Sequence, residues 1–165
     1  MGSRNVKPLR EPKLLEHISG SLATWGAQPD WIGFELTESA LMQDPAGALE
    51  TLTRLKRLDV KLTIDDFGTG YSSLSYLQRL PVDAIKIDQS FVVDMATNKD
   101  SATIVRSTIE LAHNLDLTVV AEGVEDQGTF DRLAALGCDM AQGYCISKPI
   151  PADQFREWEA RPARH

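Results

Sequence analysis

Two adjacent carboxylates followed by a glycine-rich turn are the strongest chemical signal in this sequence. Asp65 and Asp66 follow the apolar run 62–64 and precede Gly68 and Gly70. Side chains alternate along a strand, so the two acids diverge unless the strand frays there and the glycines free the backbone. Two carboxylates about 5 Å apart repel by roughly 3 kcal/mol at an effective dielectric of about 20. A hard divalent cation such as Mg2+ or Mn2+ reverses that sign, although a turn in which one Asp caps the next helix is the alternative.

The composition is typical of one globular domain and disfavours several partners. The chain has 165 residues, of which 42% are hydrophobic and 25% charged. A net charge of −7 and a pI near 4.9 argue against a nucleic-acid groove, which needs a basic stripe. No apolar run approaches the ~18 residues of a membrane span, and no signal peptide is recognisable. Cys138 and Cys145 lack disulfide or metal-ligand spacing, so a cytoplasmic protein without a membrane partner is the expectation.

Helix-like and strand-like patterns alternate along the chain. Apolar spacing, caps and glycine stops predict helices over residues 7–26, 44–58, 72–78, 101–114, 126–136 and 152–158. Short apolar or β-branched runs predict strands over 31–36, 62–64, 84–87, 117–121 and about 140–141. This alternation predicts parallel strands joined by right-handed crossovers.

Polar side chains recur in one kind of place, at or just past the carboxyl ends of the predicted strands. They are Glu35, Asp65, Asp66, Lys86, Glu122 and Gln142. In a β/α barrel this rim carries the chemistry. Each residue has a structural explanation when taken alone, such as an ion-paired Lys86 or a helix-capping Glu125. Agreement among five strand ends favours a functional rim.

Several motifs, in order, closely resemble the EAL-domain family, the bacterial phosphodiesterases that open cyclic di-GMP to linear pGpG. They are Glu-Leu-Thr-Glu-Ser from Glu35, Asp-Asp-Phe-Gly-Thr-Gly-Tyr-Ser-Ser from Asp65, Lys-Ile-Asp from Lys86, Ala-Glu-Gly-Val-Glu from Ala121, Gln-Gly-Tyr from Gln142 and Ser-Lys-Pro-Ile from Ser147. The resemblance implies a TIM-like barrel whose first strand is antiparallel to the rest. The expected fold class is therefore α/β, an incomplete TIM-like (β/α) barrel that lacks the first two strands and has a mostly parallel sheet.

The resemblance also implies roles for individual residues around a pair of Mg2+ or Mn2+ ions. Metal ligands would be Glu35, Asp65 and Asp66. Catalytic residues would be Lys86, which holds the nucleophilic water or the developing phosphorane charge, and Glu122, a further ligand or water-positioning group. Substrate-binding residues would be Glu125 and Gln142. Glu38, Thr69 and Ser72 would brace the loop 65–73, which in the family links the metal site to dimerisation.

Two parts of the family pattern are missing from this sequence. No Glu-Ala-Leu with an Arg after it, and no strand with an Asn ligand, precedes the helix 7–26. The sequence thus predicts a truncated EAL domain over residues 7–159, an N-terminal remnant or cloning residues at 1–6, and a tail at 160–165. We expect cyclic di-GMP phosphodiesterase activity to be absent or very weak, and metal to bind weakly.

Other functions fit less well. A working phosphodiesterase is one alternative, and a non-catalytic module for cyclic di-GMP, metal or protein contacts is another. A glycosidase with paired carboxylates would not need these motifs. A dinucleotide-binding turn is disfavoured because Ser73 stands where the third glycine belongs and two acids precede the turn.

Loss of two barrel strands predicts two open sheet edges. One should be the strand 32–36 and the other should lie in the last strand region near Ile146. Both would expose apolar side chains, so a homodimer joined across the open side is the expected assembly. The competing surface is the one that the family uses, near the loop 65–73 and the helix after Lys86.

Overall fold

The computed structural model describes residues 13–70 and 74–159, in which helices and five strands alternate. The helices are α1 (Leu14–Trp25), α2 (Glu38–Gln43), α3 (Pro45–Lys56), α4 (Leu74–Leu77), α5 (Gln89–Asp94), α6 (Lys99–Asn114), α7 (Gln127–Ala135) and α8 (Ala152–Glu159). The strands are β1 (Gly33–Thr37), β2 (Lys61–Phe67), β3 (Ala84–Ile87), β4 (Thr118–Glu122) and β5 (Met140–Gln142). A 3-10 turn, Pro29–Trp31, precedes β1.

The strands form one sheet in the order β1-β2-β3-β4-β5, and every pair is parallel. The predicted α/β class with parallel strands is therefore confirmed. Thr37 lies opposite Asp65, and Glu122 lies opposite Gln142, so the strands end at one common rim. Across the described residues the sheet stays open, with β1 and β5 as its edges. The second edge is thus β5 itself, and Ile146 lies beyond it.

The core is built from the central strands and the helices that cover them. Side chains with no exposed surface include Leu52 on α3, Leu62 on β2, Ile85 and Ile87 on β3, and Val119 on β4. Parallel strands covered on both faces need such apolar side chains on successive residues. Burying each of these side chains stabilises the folded state by roughly 1.5–3 kcal/mol. The packed core therefore holds in place the strands that carry the polar rim.

Side-chain caps set where several helices begin. Asp44 Oδ1 accepts a hydrogen bond from Gly47 N at 3.2 Å, and α3 starts with Pro45, as predicted. The helix predicted to start at 101 begins two residues earlier, at Lys99. The reason is that Asn98 Oδ1 accepts from Asp100 N at 2.8 Å and caps the first turn.

Predicted boundaries also differ from the structure at several other elements. The strand predicted from 31 starts at Gly33, because Pro29 opens a 3-10 turn that runs through Trp31. The helix predicted over 7–26 is α1, and its first six residues lie outside the described part. Of the helix predicted over 72–78, the structure describes α4 and assigns helix only to Leu74–Leu77.

Two short helices were not predicted. Helix α2 follows β1 directly, capped by Thr37 Oγ1, which accepts from Ala40 N at 3.4 Å. Helix α5 follows β3, capped by Asp88 Oδ1, which accepts from Ser90 N at 2.9 Å. In the described residues, no helix combines the length and the apolar character needed to cross a membrane.

Candidate active site

A buried lysine stands at the centre of the rim. Lys86 lies on β3, whose four residues are all buried, and its side chain is only 7% exposed. Its Nζ lies 2.5 Å from Glu122 Oε1, 2.9 Å from Glu35 Oε1 and 3.5 Å from Asp65 Oδ1. Strands β1, β2 and β4 each supply one of these carboxylates. The structure therefore brings four of the predicted site residues into direct contact.

The surrounding charges decide the protonation of Lys86. Burial alone would lower the pKa of its ammonium group. Hydrogen bonds to Glu122 and Glu35, together with the charges of Glu122 and Asp65, outweigh that effect and raise the pKa well above its ordinary value. Lys86 is thus positively charged at neutral pH. One positive charge faces three carboxylates, so the group keeps an excess of negative charge.

A bulge in β2 turns Asp65 and Asp66 toward the same place. The register between β2 and β3 shifts between Ile64 and Phe67. Asp66 itself has a φ of 54°, a left-handed conformation that Asp tolerates better than most residues. The expected cause, a frayed strand end freed by glycines, is therefore wrong, because β2 continues through Phe67 and an acidic residue takes the unusual φ.

The carboxylates fit a hard divalent cation. Oxygens of Asp65, Asp66 and Glu122 lie within 4.8 Å of one another. Asp65 Oδ1 is buried and accepts no hydrogen bond from the described residues, because Lys86 Nζ at 3.5 Å forms an ion pair with it without hydrogen-bond geometry. Burial and the charges of Asp65 and Asp88 raise the pKa of Asp66, and Lys86 offsets this only in part. Oxygen donors in excess negative charge are the ligands that Mg2+ and Mn2+ prefer.

The turn after the two acids is tied to the start of α2. Glu38 is 1% exposed, and its Oε2 accepts hydrogen bonds from Gly68 N at 3.0 Å and Gly70 N at 3.3 Å. Thr69 Oγ1 donates to the carbonyl of Asp66 at 2.8 Å. Ser72, the third residue predicted to brace this loop, lies outside the described part of the chain. The contacts of Glu38 and Thr69 fit a bracing role, which stays a prediction.

An open cavity of about 250 Å3 adjoins the charged cluster. It is lined by Gln89, Glu122, Gly123, Glu125, Gln142, Gly143 and Tyr144. Glu122 belongs to both the cavity and the cluster, whereas the predicted substrate-binding residues Glu125 and Gln142 contact only the cavity side. The cavity therefore lies next to the charged cluster and brings Glu125 and Gln142 to its edge.

Sequence reasoning gave no role to several residues at this site. Asp88 acts on the pKa of Asp66, and Gln89 lines the cavity. The Lys-Ile-Asp motif was the available signal for Asp88. Gln89 carried no signal, because its position depends on helix α5, which was not predicted.

Comparison with known proteins gives a consistent result. The family model described as EAL domain matches residues 4–149. The domain boundaries at residues 7 and 159 stay a prediction. The cyclic di-GMP phosphodiesterase RocR of Pseudomonas aeruginosa is 40% identical over 156 residues, which cover 93% of this chain and 40% of RocR. The chain spans about a fifth of the length of several other curated relatives.

Solved structures agree in fold. The PaMucR phosphodiesterase, solved in complex with c-di-GMP, has a TM-score of 0.89 and 38% identity, covering 92% of this chain and 62% of that one. Klebsiella pneumoniae BlrP1, solved with manganese and c-di-GMP, has a TM-score of 0.79 and 34% identity, covering 86% of this chain and 36% of that one. The chain therefore belongs to the EAL domain family, as its ordered motifs predicted.

Proposed function

We propose that this chain carries the acidic, metal-binding side of a cyclic di-GMP phosphodiesterase site. The observation behind the proposal is the Lys86 ammonium held by Glu35, Asp65 and Glu122 at the common rim of the sheet. RocR is named a cyclic di-GMP phosphodiesterase, and PaMucR was solved with the dinucleotide. Acidic ligands, a fixed cation and an adjoining cavity are the parts that metal-assisted phosphodiester hydrolysis requires.

Asp65, Asp66 and Glu35 would hold Mg2+ or Mn2+, with Glu122 as a further ligand. The buried Asp65 Oδ1 and the manganese complex of BlrP1 support this assignment. When bound, such an ion stabilises negative charge on phosphoryl oxygens and makes a coordinated water more acidic.

The chain's own side chains would orient the reactants. Lys86 is positively charged and held by ion pairs with Glu35 and Glu122, so it can hold an attacking water or balance the charge that develops on phosphorus. Glu122 contacts Lys86 and reaches the cavity, which suits a group that positions that water. Glu125 and Gln142 offer a carboxylate and an amide to the nucleotide.

Bracing of the loop is a separate part of the proposal. Glu38, Thr69 and Ser72 would keep the turn after Asp66 in the conformation that presents both acids. The hydrogen bonds of Glu38 to Gly68 and Gly70 support this role.

The 165-residue chain alone should hydrolyse cyclic di-GMP weakly or not at all. Its sequence lacks the Glu-Ala-Leu and Asn motifs of the family, so at least one ion would have too few ligands. Loss of positioned charge stabilisation typically costs several kcal/mol, or orders of magnitude in rate.

The test is cyclic di-GMP hydrolysis by the chain and by RocR, side by side, at physiological Mg2+ and at millimolar Mn2+. We expect RocR to produce pGpG and the chain to stay at background. Binding of cyclic di-GMP in the presence of Ca2+, lost in Gln142→Ala, would support a retained ligand site. Turnover comparable to that of RocR would contradict the proposed low activity of this chain, but it would not contradict the proposed metal-binding site.

We propose, as a second function, assembly through the open side of the sheet. Large apolar side chains are exposed in the segments around the two edge strands in the sequence: Trp25 is 83% and Trp31 73% exposed before β1, and Met140 is 53% and Tyr144 61% exposed in and after β5. A second copy would cover both edges at once, because an interface around a two-fold axis buries the same surface twice.

Sedimentation at micromolar concentration tests this homodimer. Met140→Lys places a charge on the β5 edge and should dissociate it. Leu74→Lys changes a side chain that is 59% exposed on α4, near the surface that the family uses. If Leu74→Lys dissociates the dimer and Met140→Lys does not, the interface lies near α4 rather than at the β5 edge. A parent chain that is folded and monomeric would contradict the homodimer proposal.

A further inference from the structure

Lys86 lies between carboxylates from three different strands of the sheet. Its Nζ is within 3.5 Å of carboxylate oxygens from three different strands, and its side chain is 7% exposed. Such a buried ammonium does for the folded chain what a metal ion would do, because it offsets repulsion between acids held close together.

Two of the carboxylates that contact Lys86 would also serve a divalent ion. Glu122 and Asp65 contact Lys86, and together with Asp66 they form the group whose oxygens lie within 4.8 Å of one another. A divalent ion bound by that group would share these carboxylates with Lys86. It would also lie a few ångströms from a like charge, which opposes its binding.

We infer that Lys86 is a resident cation that holds the acidic cluster together without metal and lowers the affinity of the cluster for divalent ions. The inference rests on the proposed metal site, because it concerns the same carboxylates. Lys86 has two opposed effects there. Its charge is useful to a bound phosphodiester, but it limits loading of the metal, so the site fills only at high metal concentration unless a phosphate adds negative charge.

Two other roles for Lys86 make different predictions. If Lys86 only filled space, its neutral replacement would leave metal affinity unchanged. If Lys86 ordered the carboxylates for the metal, the replacement would weaken metal binding. A resident cation alone predicts that removing the charge tightens metal binding.

The experiment measures Mn2+ affinity by titration calorimetry and the thermal midpoint in chelator and in Mn2+, with no nucleotide present. The variants are Lys86→Met, which keeps similar bulk without charge, and Lys86→Arg, which keeps the charge. Lys56→Met is the matched control, because Lys56 pairs with Asp83 at 2.6 Å and makes none of the contacts of Lys86.

For Lys86→Met we expect Mn2+ affinity to rise about tenfold or more, given the repulsion between a divalent ion and a neighbouring ammonium. In chelator the variant should melt below the parent, and its rise in midpoint on adding Mn2+ should be larger than the parent's. Lys86→Arg should not gain affinity, and Lys56→Met should lose stability without changing affinity.

If Lys86→Met folds only when Mn2+ is present, the inference is also supported, since the ion then replaces the lysine. Equal or weaker Mn2+ binding, or an unfolded variant with and without Mn2+, overturns it. If the parent and Lys86→Met both fail to bind Mn2+, the proposed metal site fails as well. If both bind with the same affinity, only the role of Lys86 fails.

Discussion

The buried carboxylate of Glu38 accepts a hydrogen bond from the backbone N–H of Gly68 at 3.0 Å. This contact joins the first residue of α2 to the turn that follows the two acids of β2. A second hydrogen bond, from Gly70 N at 3.3 Å, uses the same oxygen. One side chain thereby fixes two backbone groups next to Asp66.

Replacing Glu38 should loosen that turn. In Glu38→Ala the N–H groups of Gly68 and Gly70 lose this acceptor, so we expect the free energy of unfolding to fall by about 2–3 kcal/mol. Urea unfolding measures the loss, and amide hydrogen exchange at Gly68 and Gly70 should become faster. Glu110→Ala, at an exposed position on α6, should change neither quantity appreciably. An equal loss in both variants would show that Glu38 has no special contact with the turn.

Gly143, which lines the cavity, should be difficult to replace. A Cβ at this position would lie 2.2 Å from Val124 O and 2.4 Å from Val124 N, both backbone atoms that cannot turn aside. That segment is also held by hydrogen bonds from Val124 N to Gln142 O and from Cys145 N to Val124 O. We expect Gly143→Ala to lower the free energy of unfolding by about 2–3 kcal/mol.

Gly20→Ala is the matched control for Gly143→Ala. Gly20 lies exposed within α1, and a Cβ there meets no atom within 4 Å. Alanine in a helix is favoured over glycine by about 0.5–1 kcal/mol, so this variant should be slightly more stable than the parent. The midpoint of thermal unfolding should therefore fall for Gly143→Ala and rise for Gly20→Ala. A shift in the same direction for both variants would contradict the close contact between residue 143 and the backbone of Val124.

The strand types and the polar rim could be predicted from sequence because they depend on local patterns. The short run at 84–87 predicted β3, and the alternation of strands and helices predicted that Glu35, Lys86 and Glu122 lie at the carboxyl ends of strands in one sheet. The order of the strands in the sheet follows from their order along the chain, because short crossovers favour pairing between consecutive parallel strands.

The finer geometry of the site could not be predicted, because it depends on register. The bulge that turns Asp66 requires knowing that β2 and β3 change alignment after Ile64. Helix α5 was not predicted, because its six residues show too little helical periodicity. The position of Gln89, the first residue of α5, could therefore not be predicted either. The contacts of Lys86 with three acids depend on side-chain packing that no sequence spacing specifies.

Asp83 should make stability depend on pH in the acid range. Burial alone would raise the pKa of this carboxyl, but hydrogen bonds from Lys56 Nζ and Leu62 N outweigh it and lower the pKa below its ordinary value of 3.8. A carboxyl with a lowered pKa stabilises the fold above its unfolded pKa and loses that contribution as pH falls through the folded value.

Asp83→Asn should therefore lower the free energy of unfolding at pH 7 by about 1–2 kcal/mol. Its difference from the parent should shrink as pH falls below the ordinary value of 3.8 and through the lowered pKa of Asp83, because the parent carboxylate then also becomes protonated. Denaturant unfolding between pH 7 and pH 3 checks both statements. Asp131→Asn, at an exposed carboxylate on α7, serves as the control and should differ little from the parent throughout. A difference for Asp83→Asn that stays constant with pH would contradict the role of its charge.

Divalent metal should stabilise the chain through Asp65. This carboxylate has a buried oxygen that accepts no hydrogen bond from the described residues, and it belongs to the group with Asp66 and Glu122 whose oxygens lie within 4.8 Å of one another. A ligand that binds only the folded state raises stability by mass action, so millimolar Mn2+ or Ca2+ should raise the melting temperature. Asp65→Asn removes a ligand charge and should abolish that rise, whereas Glu110→Gln on α6 should keep it. If Asp65→Asn responds to metal as the parent does, the ions bind elsewhere and the carboxylates of β2 are not their ligands.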